Sequence, residues 1–191
     1  MIKDLLLVVS LTLFSFFGKS QESTEDLKRL SNIEAIQVGK PLFDIKLPDL
    51  KGDSVSLLSH KGKYLYLILW ATWCKPCLES MPFYDSLIKE SPANEIEFAF
   101  ISIDADVEKA KQFIKDKNLT GIKLFNGGKK TPPLSYLIYR VIWENENKFK
   151  DLDMGLPRYL LIDKNGIILR NDLEKSTKDE VRKLLKTVVS K

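Results

Sequence analysis

The chain has 191 residues, of which 44% are hydrophobic and 29% are charged, proportions typical of a soluble globular protein that buries a core. This composition excludes fibrous, low-complexity and wholly disordered chains, and the length predicts one domain with additional segments. Basic residues exceed acidic ones by four and are spread along the chain, which argues against nucleic acid as a partner.

The N-terminal segment has the layout of a secretory signal peptide. Lys3 supplies a positive start, and Leu5 to Phe17 form an apolar run of about 13 residues. Gly18-Lys19-Ser20 then places small residues where a signal peptidase reads them. A membrane-spanning helix needs about 20 apolar residues, so we expect cleavage before Gln21, and membrane contact only if the segment stays uncleaved.

These features predict a periplasmic or other cell-envelope protein, in a compartment where disulfides persist. The expected organisation is a signal peptide at 1–20, a polar lead-in at 21–38 and one folded domain at 39–191.

The first half of that domain alternates between strand-like and helical segments. Two short strands, Phe43 to Leu47 and Ser54 to Leu57, flank turn-forming residues and predict a hairpin. A continuous apolar run from Tyr64 to Trp70 is typical of a central strand buried on both faces. A helical pattern then extends from the cysteines to about Glu90, and Pro82 inside it predicts a kink.

The remaining pattern predicts an α/β fold, with a central mixed sheet flanked by helices and an N-terminal hairpin as an extension. Residues 126–154 form an insertion that is harder to interpret, and its aromatic segment from Tyr136 to Trp143 indicates one helix. A last helix covers Thr177 to Val189, with Ser176 or Thr177 as its cap. The other predicted elements are strands at Ile96 to Ile103 and Ile122 to Phe125, a helix at Asp106 to Asn118, and a hairpin of Tyr159 to Ile162 with Ile167 to Arg170.

The strongest chemical signal is Trp73-Cys74-Lys75-Pro76-Cys77, at the turn from a buried strand into a helix. A sulfur at a helix N-terminus lies near free N–H groups and the positive end of the helix dipole, which favour its thiolate. Pro76 suits a first helical turn, and the Lys75 ammonium adds to thiolate stabilisation. We therefore predict Cys74 as the exposed nucleophile and Cys77, one turn further in, as the resolving cysteine.

The sequence argues against other uses of the two cysteines. A purely structural disulfide across so short a loop constrains the unfolded chain little. A c-type haem site needs His after Cys77, where Leu78 stands, and one His with two Cys is too few for a zinc site within one chain. We expect no cofactor and no metal.

Together these segments resemble the TlpA-like disulfide oxidoreductases of the thioredoxin superfamily, which are related to the AhpC/TSA redoxins. The resemblance covers about residues 38 to 190. It is carried by Gly39-Lys40-Pro41 through Leu47-Pro48-Asp49, Trp70 to Cys77, Met81-Pro82, and Gly155-Leu156-Pro157-Arg158 through Asn165-Gly166.

The resemblance implies a thioredoxin-like fold and a redox-active disulfide between Cys74 and Cys77. It also implies that Pro157 follows a cis peptide bond beside the cysteines and that Leu156 offers backbone hydrogen bonds to a substrate polypeptide. With Leu156, we expect Trp73, Lys75 and Pro76 to form the substrate-binding surface, although aromatic packing is the other interpretation of Trp73.

Two departures from the family pattern concern the proton acceptor. Thioredoxins carry a buried acid six residues before the first cysteine, where Ile68 stands here. Many TlpA-like reductases carry Glu three residues after the second cysteine, where this chain has Ser80 preceded by Glu79. One residue is about 100° of helical rotation, so Glu79 is either a displaced proton acceptor for Cys77 or a solvated surface charge.

The sequence predicts an enzyme, a thiol-disulfide oxidoreductase, which is the first of three candidate functions. The first is exchange with disulfide-bearing envelope proteins, with re-reduction by an electron-donating thiol partner. The second is a peroxidase, but that chemistry needs Thr three residues before the cysteine and a Pro further back, and Ala71 and Leu67 stand there. The third is a binding module without redox turnover, such as a copper or protein-maturation chaperone, because two thiolates suit a soft ion such as Cu(I).

Overall fold

The computed structural model describes residues 36–60, 62–129, 134–145, 148–171, 173 and 176–190. All of these belong to one unit that begins at Ile36. The predicted signal peptide and most of the predicted lead-in lie outside the described residues. Among the helices that are described, none has the length and apolar character needed to cross a membrane.

The described strands and helices follow the predicted order with one exception, the insertion. The strands are β1 Lys46–Pro48, β2 Ser54–Ser56, β3 Tyr64–Trp70, β4 Ile96–Ser102, β5 Ile122–Phe125, β6 Tyr139–Asn145, β7 Lys148–Met154, β8 Arg158–Ile162 and β9 Ile168–Arg170. The helices are α1 Lys75–Glu90, α2 Val107–Lys117, α3 Leu134–Ile138 and α4 Lys178–Val189, and a 3₁₀ turn covers Leu57–His60.

A five-stranded mixed sheet forms the centre, in the order β5-β4-β3-β8-β9. Strand β3 pairs in parallel with β4 and antiparallel with β8, and β5 continues the parallel side. Because β3 is covered on both faces, every residue from Leu65 to Trp70 is buried, as the continuous apolar run predicts. The predicted α/β class with a mixed sheet is confirmed.

Three helices cover one face of this sheet. Tyr84 of α1 packs against Tyr66 of β3, and Phe113 of α2 packs against Trp70. The guanidinium of Arg182 in α4 lies 5.0 Å from the Phe83 ring centroid of α1. Right-handed crossovers that step along a sheet in one direction place their helices on the same face, which explains why α1 and α2 lie side by side.

The N-terminal hairpin and α1 also follow the sequence prediction. Strands β1 and β2 pair antiparallel from Lys46 opposite Ser56 to Pro48 opposite Ser54, so the hairpin is confirmed with shorter strands than predicted. Helix α1 ends at Glu90 as predicted and is unbroken at Pro82.

The insertion differs from the prediction. Helix α3 ends at Ile138, and the chain then forms an antiparallel hairpin of β6 and β7 with Tyr139 opposite Met154. The prediction that the aromatic segment to Trp143 is helical is therefore wrong beyond Ile138. The hairpin is a separate two-stranded sheet.

Helix α4 begins with a capping box that selects Thr177 from the two predicted caps. The Thr177 side chain accepts a hydrogen bond from the Glu180 backbone N–H, and the Glu180 carboxylate accepts one from the Thr177 backbone N–H at 2.7 Å. Two backbone N–H groups that have no partner inside the helix are thus satisfied.

Replacing Thr177 with Ala should lower the free energy of unfolding by about 1 kcal/mol, because the cap loses its side-chain acceptor. Urea unfolding measures the change. The matched control is Ser176→Ala, which leaves the capping box intact and should change the free energy by less than about 0.5 kcal/mol. Equal losses in the two variants would show that the capping box does not stabilise α4.

Candidate active site

The two cysteines stand at the N-terminus of α1, where the chain leaves the central strand. Cys74 is the N-cap residue in extended conformation, and its sulfur accepts a hydrogen bond from the Cys77 backbone N–H at 3.3 Å. Pro76 lies in the first turn of the helix, where a missing N–H has little cost. Cys74 and Cys77 form a disulfide with their Cα atoms 5.3 Å apart.

The exposure of the two cysteines differs in the predicted direction but is small for both. Cys74 is 5% exposed and Cys77 is 1% exposed. The expectation of an exposed Cys74 is therefore wrong for the disulfide form, in which each sulfur covers part of the other. Cys74 remains the more accessible of the two sulfur-bearing residues.

The predicted substrate-facing residues of the motif form an exposed rim around the disulfide. The Trp73 residue is 57% exposed, and both Lys75 and Pro76 are exposed. Trp73 therefore does not pack into the core, which was the other interpretation of this side chain. The arrangement presents an indole and an ammonium to any polypeptide that approaches the sulfurs.

Glu79, the suggested proton acceptor, lies on the solvent side of α1. Its side chain is 64% exposed, and its carboxylate is 3.9 Å from the Lys75 ammonium one helical turn away. This is the geometry of a solvated surface charge, the second of the two interpretations that the sequence leaves open. The described contacts give Glu79 no link to Cys77.

The loop before β8 has the expected backbone geometry. The Leu156-Pro157 peptide bond is cis, which confirms the expectation from the family resemblance. Leu69 of β3 lies opposite Arg158 of β8, so continuing this pairing by one residue places Pro157 opposite Trp70. The loop thus lies at the end of β3 from which the chain turns towards Cys74.

A cluster of hydroxyl groups lies on the inner side of α1, behind Cys77. The Ser80 hydroxyl donates to the Cys77 carbonyl at 2.7 Å and lies 3.0 Å from the Tyr159 hydroxyl. The Tyr84 ring is 5.0 Å from that of Tyr159, and burial, followed by the nearby Tyr66 and Tyr159 hydroxyls, raises the pKa of Tyr84 well above its ordinary value. The Tyr84 phenol therefore stays protonated and serves as a hydrogen-bonding group.

One buried carboxylate near the motif was missed by the sequence analysis. Asp104 lies two residues after the end of β4 and is 3% exposed. It accepts hydrogen bonds from the Thr72 backbone N–H at 3.1 and 3.0 Å and from the Thr72 hydroxyl at 2.7 Å. The Ser102 hydroxyl donates to it at 2.8 Å. Its place at the carboxyl end of a strand beside β3 was the available signal, because ligand and catalytic groups gather at such strand ends.

The described residues contain no group of three or more His, Cys, Asp or Glu side chains placed to hold a metal ion. Ile68, at the position where thioredoxins carry an acid, is a buried apolar residue of β3. The groups that the structure brings together at the site are the sulfur pair, several hydroxyl groups and one buried carboxylate.

The chain is similar in sequence to known redox proteins. The family model described as Redoxin matches residues 37–188. The thiol-disulfide oxidoreductase ResA of Bacillus cereus is 29% identical over 161 residues, which cover 83% of this chain and 82% of that protein. The thioredoxin-like protein YneN of Bacillus subtilis is 36% identical over 87 residues, which cover 44% of this chain and 51% of that protein.

Solved structures share the fold. The thioredoxin domain of a thiol-disulfide oxidoreductase from Bacteroides vulgatus superposes with a TM-score of 0.65 at 21% identity, covering 80% of this chain and 98% of that domain. A thiol:disulfide interchange protein from a Bacteroides species superposes with a TM-score of 0.65 at 23% identity, covering 82% and 93% of the two chains. At these identities the likeness establishes the thioredoxin-like fold.

Proposed function

The chain belongs to the redoxin family, and from this premise we propose that it is a thiol-disulfide oxidoreductase that reduces or exchanges disulfides in partner proteins of the cell envelope. The observation that carries the proposal is the Cys74–Cys77 disulfide at the N-terminus of α1. The relatives named as thiol-disulfide oxidoreductases support the same activity.

The reaction uses the two sulfurs in sequence. The reduced Cys74 thiolate attacks one sulfur of a partner disulfide, and the other partner sulfur leaves as a thiolate. Cys77 then loses its proton and attacks the Cys74 sulfur, which releases the second partner sulfur as a thiolate. Two electrons pass to the partner, and this chain is left with the Cys74–Cys77 disulfide.

Two features of the geometry support attack by Cys74. Cys74 is the helix N-cap, and its sulfur already accepts the Cys77 backbone N–H at 3.3 Å, an interaction that stabilises a thiolate. It is also the more exposed cysteine, so a partner sulfur reaches it first. Cys77, almost wholly buried, is placed to attack the mixed disulfide from inside.

Substrate contact is assigned to the exposed rim and the loop before β8. Trp73 offers an apolar surface and Lys75 a positive charge next to the sulfurs. Leu156 and Pro157 would provide backbone contact to an extended partner segment. A thiol-bearing electron donor must then reduce the disulfide again, because the envelope is an oxidising compartment.

The test is turnover with a disulfide-linked polypeptide, using dithiothreitol as the electron donor and the residue 21–191 protein as the catalyst. We expect cleavage of the polypeptide disulfide to accelerate in proportion to the enzyme concentration. The control is the Cys74→Ser, Cys77→Ser double variant, which should leave the rate at that of dithiothreitol alone. Stoichiometric binding of Cu(I) without turnover would instead establish a binding module.

A further inference from the structure

The buried carboxylate of Asp104 is not used by the reaction steps above. Among the residues whose burial the structure describes, it is the one buried carboxylate. The Thr72 backbone N–H, the Thr72 hydroxyl and the Ser102 hydroxyl all donate hydrogen bonds to it. An ionised carboxylate is an acceptor only, so this set of partners is the one that the charged form requires.

Asp104 binds Thr72, which lies in the loop between β3 and α1, called the motif loop below. Its two oxygens hold both the backbone N–H and the hydroxyl of Thr72, two residues before Cys74. The Cys74 backbone N–H donates in turn to the Ala71 carbonyl at 3.1 Å. The position of Cys74 at the start of α1 is therefore fixed from a neighbouring strand, across a gap of 32 residues in sequence.

The loop that carries Asp104 is itself closely packed. The Asn126 backbone N–H donates to the Ser102 carbonyl at 2.9 Å. Gly128, at φ +68°, approaches so closely that a Cβ atom there would lie 2.8 Å from the Ala105 Cα atom. The buried Asp104 therefore lies between backbone segments that pack closely against the chain after β5.

The carboxylate is close enough to the sulfur pair to affect its ionisation. It lies 3.0 Å from the Thr72 nitrogen, and two residues span at most about 7 Å, so the Cys74 nitrogen is within about 10 Å and the Cys74 sulfur, about 3 Å further on, within about 13 Å. A buried like charge at that distance disfavours a thiolate by roughly one pKa unit at an effective dielectric constant near 20.

We propose that Asp104 is a positioning residue of the redox site, which fixes Thr72 at the start of the motif loop and places a buried negative charge that disfavours the Cys74 thiolate. The proposal rests on the proposed function and deepens it. A charge that destabilises the Cys74 thiolate destabilises the reduced form of the pair. The consequence is a cysteine pair that is more readily oxidised.

Other charged or titratable groups on the surrounding elements stay the same in the variants below. They are Lys75 and Glu79 on α1, both exposed, Tyr84 on α1, and Arg158 and Tyr159 on β8. Asp106 caps α2 and binds the Lys109 backbone N–H at 3.1 Å.

The experiment compares variants that change the charge with variants that change only its partners. The rate of Cys74 alkylation by iodoacetamide is measured against pH in the reduced protein. Asp104→Asn removes the charge and should lower the pH midpoint by about one unit. Thr72→Val keeps the charge but removes one donor, so it should raise the midpoint, and Thr72→Ser keeps the hydroxyl and should leave it unchanged.

Equilibration with glutathione gives a second measurement, in which Asp104→Asn should hold a larger reduced fraction than the parent protein. If Asp104→Asn does not fold, the opposite behaviour of Thr72→Val and Thr72→Ser still tests the proposal. Unchanged midpoints, or midpoints that move in the same direction in the Asn and Val variants, would show a merely structural role. Turnover by the parent protein tests the proposed function separately.

Discussion

Replacing Cys74 with Ser should abolish disulfide exchange, leaving only the rate at which the electron donor reacts alone. A hydroxyl at the helix N-cap does not ionise at neutral pH, so the attacking anion is lost. The measurement is turnover with a disulfide-linked polypeptide and dithiothreitol. Far-UV circular dichroism should stay the same, because the serine hydroxyl is itself a favourable N-cap acceptor for the Cys77 backbone N–H.

Cys77→Ser is the matched variant, and it should separate the two steps of the reaction. Cys74 can still attack, but nothing resolves the mixed disulfide, so a covalent complex with the partner accumulates. Non-reducing electrophoresis detects this complex. Accumulation in the Cys74→Ser variant instead would reverse the roles of the two cysteines, and accumulation in neither would contradict the exchange mechanism.

The two tryptophans of the motif should behave in opposite ways when each is replaced with Ala. Trp70 ends β3, is 0% exposed, and its ring centroid lies 5.3 Å from that of Phe113. Its removal leaves a cavity in the centre of the fold, and the free energy of unfolding should fall by about 3 to 5 kcal/mol. Urea unfolding of the oxidised protein measures this loss.

Trp73→Ala is the control for that measurement and a test of the substrate surface. Because Trp73 is 57% exposed, its loss should change the free energy of unfolding by less than about 0.5 kcal/mol. Exchange with a polypeptide disulfide should slow, whereas alkylation of Cys74 by a small reagent should not. An equal loss of stability in both variants would contradict the described burial, and unchanged polypeptide exchange would remove Trp73 from the substrate surface.

Local pattern predicted most of the central fold. The apolar run of β3 leaves one interpretation, a strand covered on both faces, and six of its seven residues are buried. Helix α2 was predicted with both flanking residues, since Asp106 is its N-cap and Asn118, in left-handed conformation, its C-cap. In each case the local preference and the packing of the segment agree.

The insertion shows where local pattern fails. Tyr136, Tyr139 and Trp143 are spaced as on a helix, but Tyr139 and Trp143 also flank Val141 at the two-residue spacing of a strand. Both periods fit so short a segment, and the antiparallel partner β7, which decides between them, lies further along the chain. The hairpin could not be derived from the aromatic residues alone.

The candidate site was likewise predicted only in part. The sequence placed the sulfur pair at a helix N-terminus, because its neighbours along the chain define that turn. Asp104 was not found, because its contact with Thr72 depends on β3 and β4 being adjacent in register, with Trp70 opposite Ser102. Functional groups that are close together in sequence were thus predicted. The contact between Asp104 and Thr72, which joins segments after two neighbouring strands, was not.

The order of strands in the sheet means that the cysteines are synthesised well before one of the strands beside β3. Strand β8, which lies beside β3, begins at Arg158, 84 residues after Cys74. At synthesis rates of about 5 to 20 residues per second, that interval lasts roughly 4 to 17 seconds. During that interval both cysteines are present without the strand that pairs with β3 on its antiparallel side. The nascent chain therefore carries both thiols before the fold around them is formed.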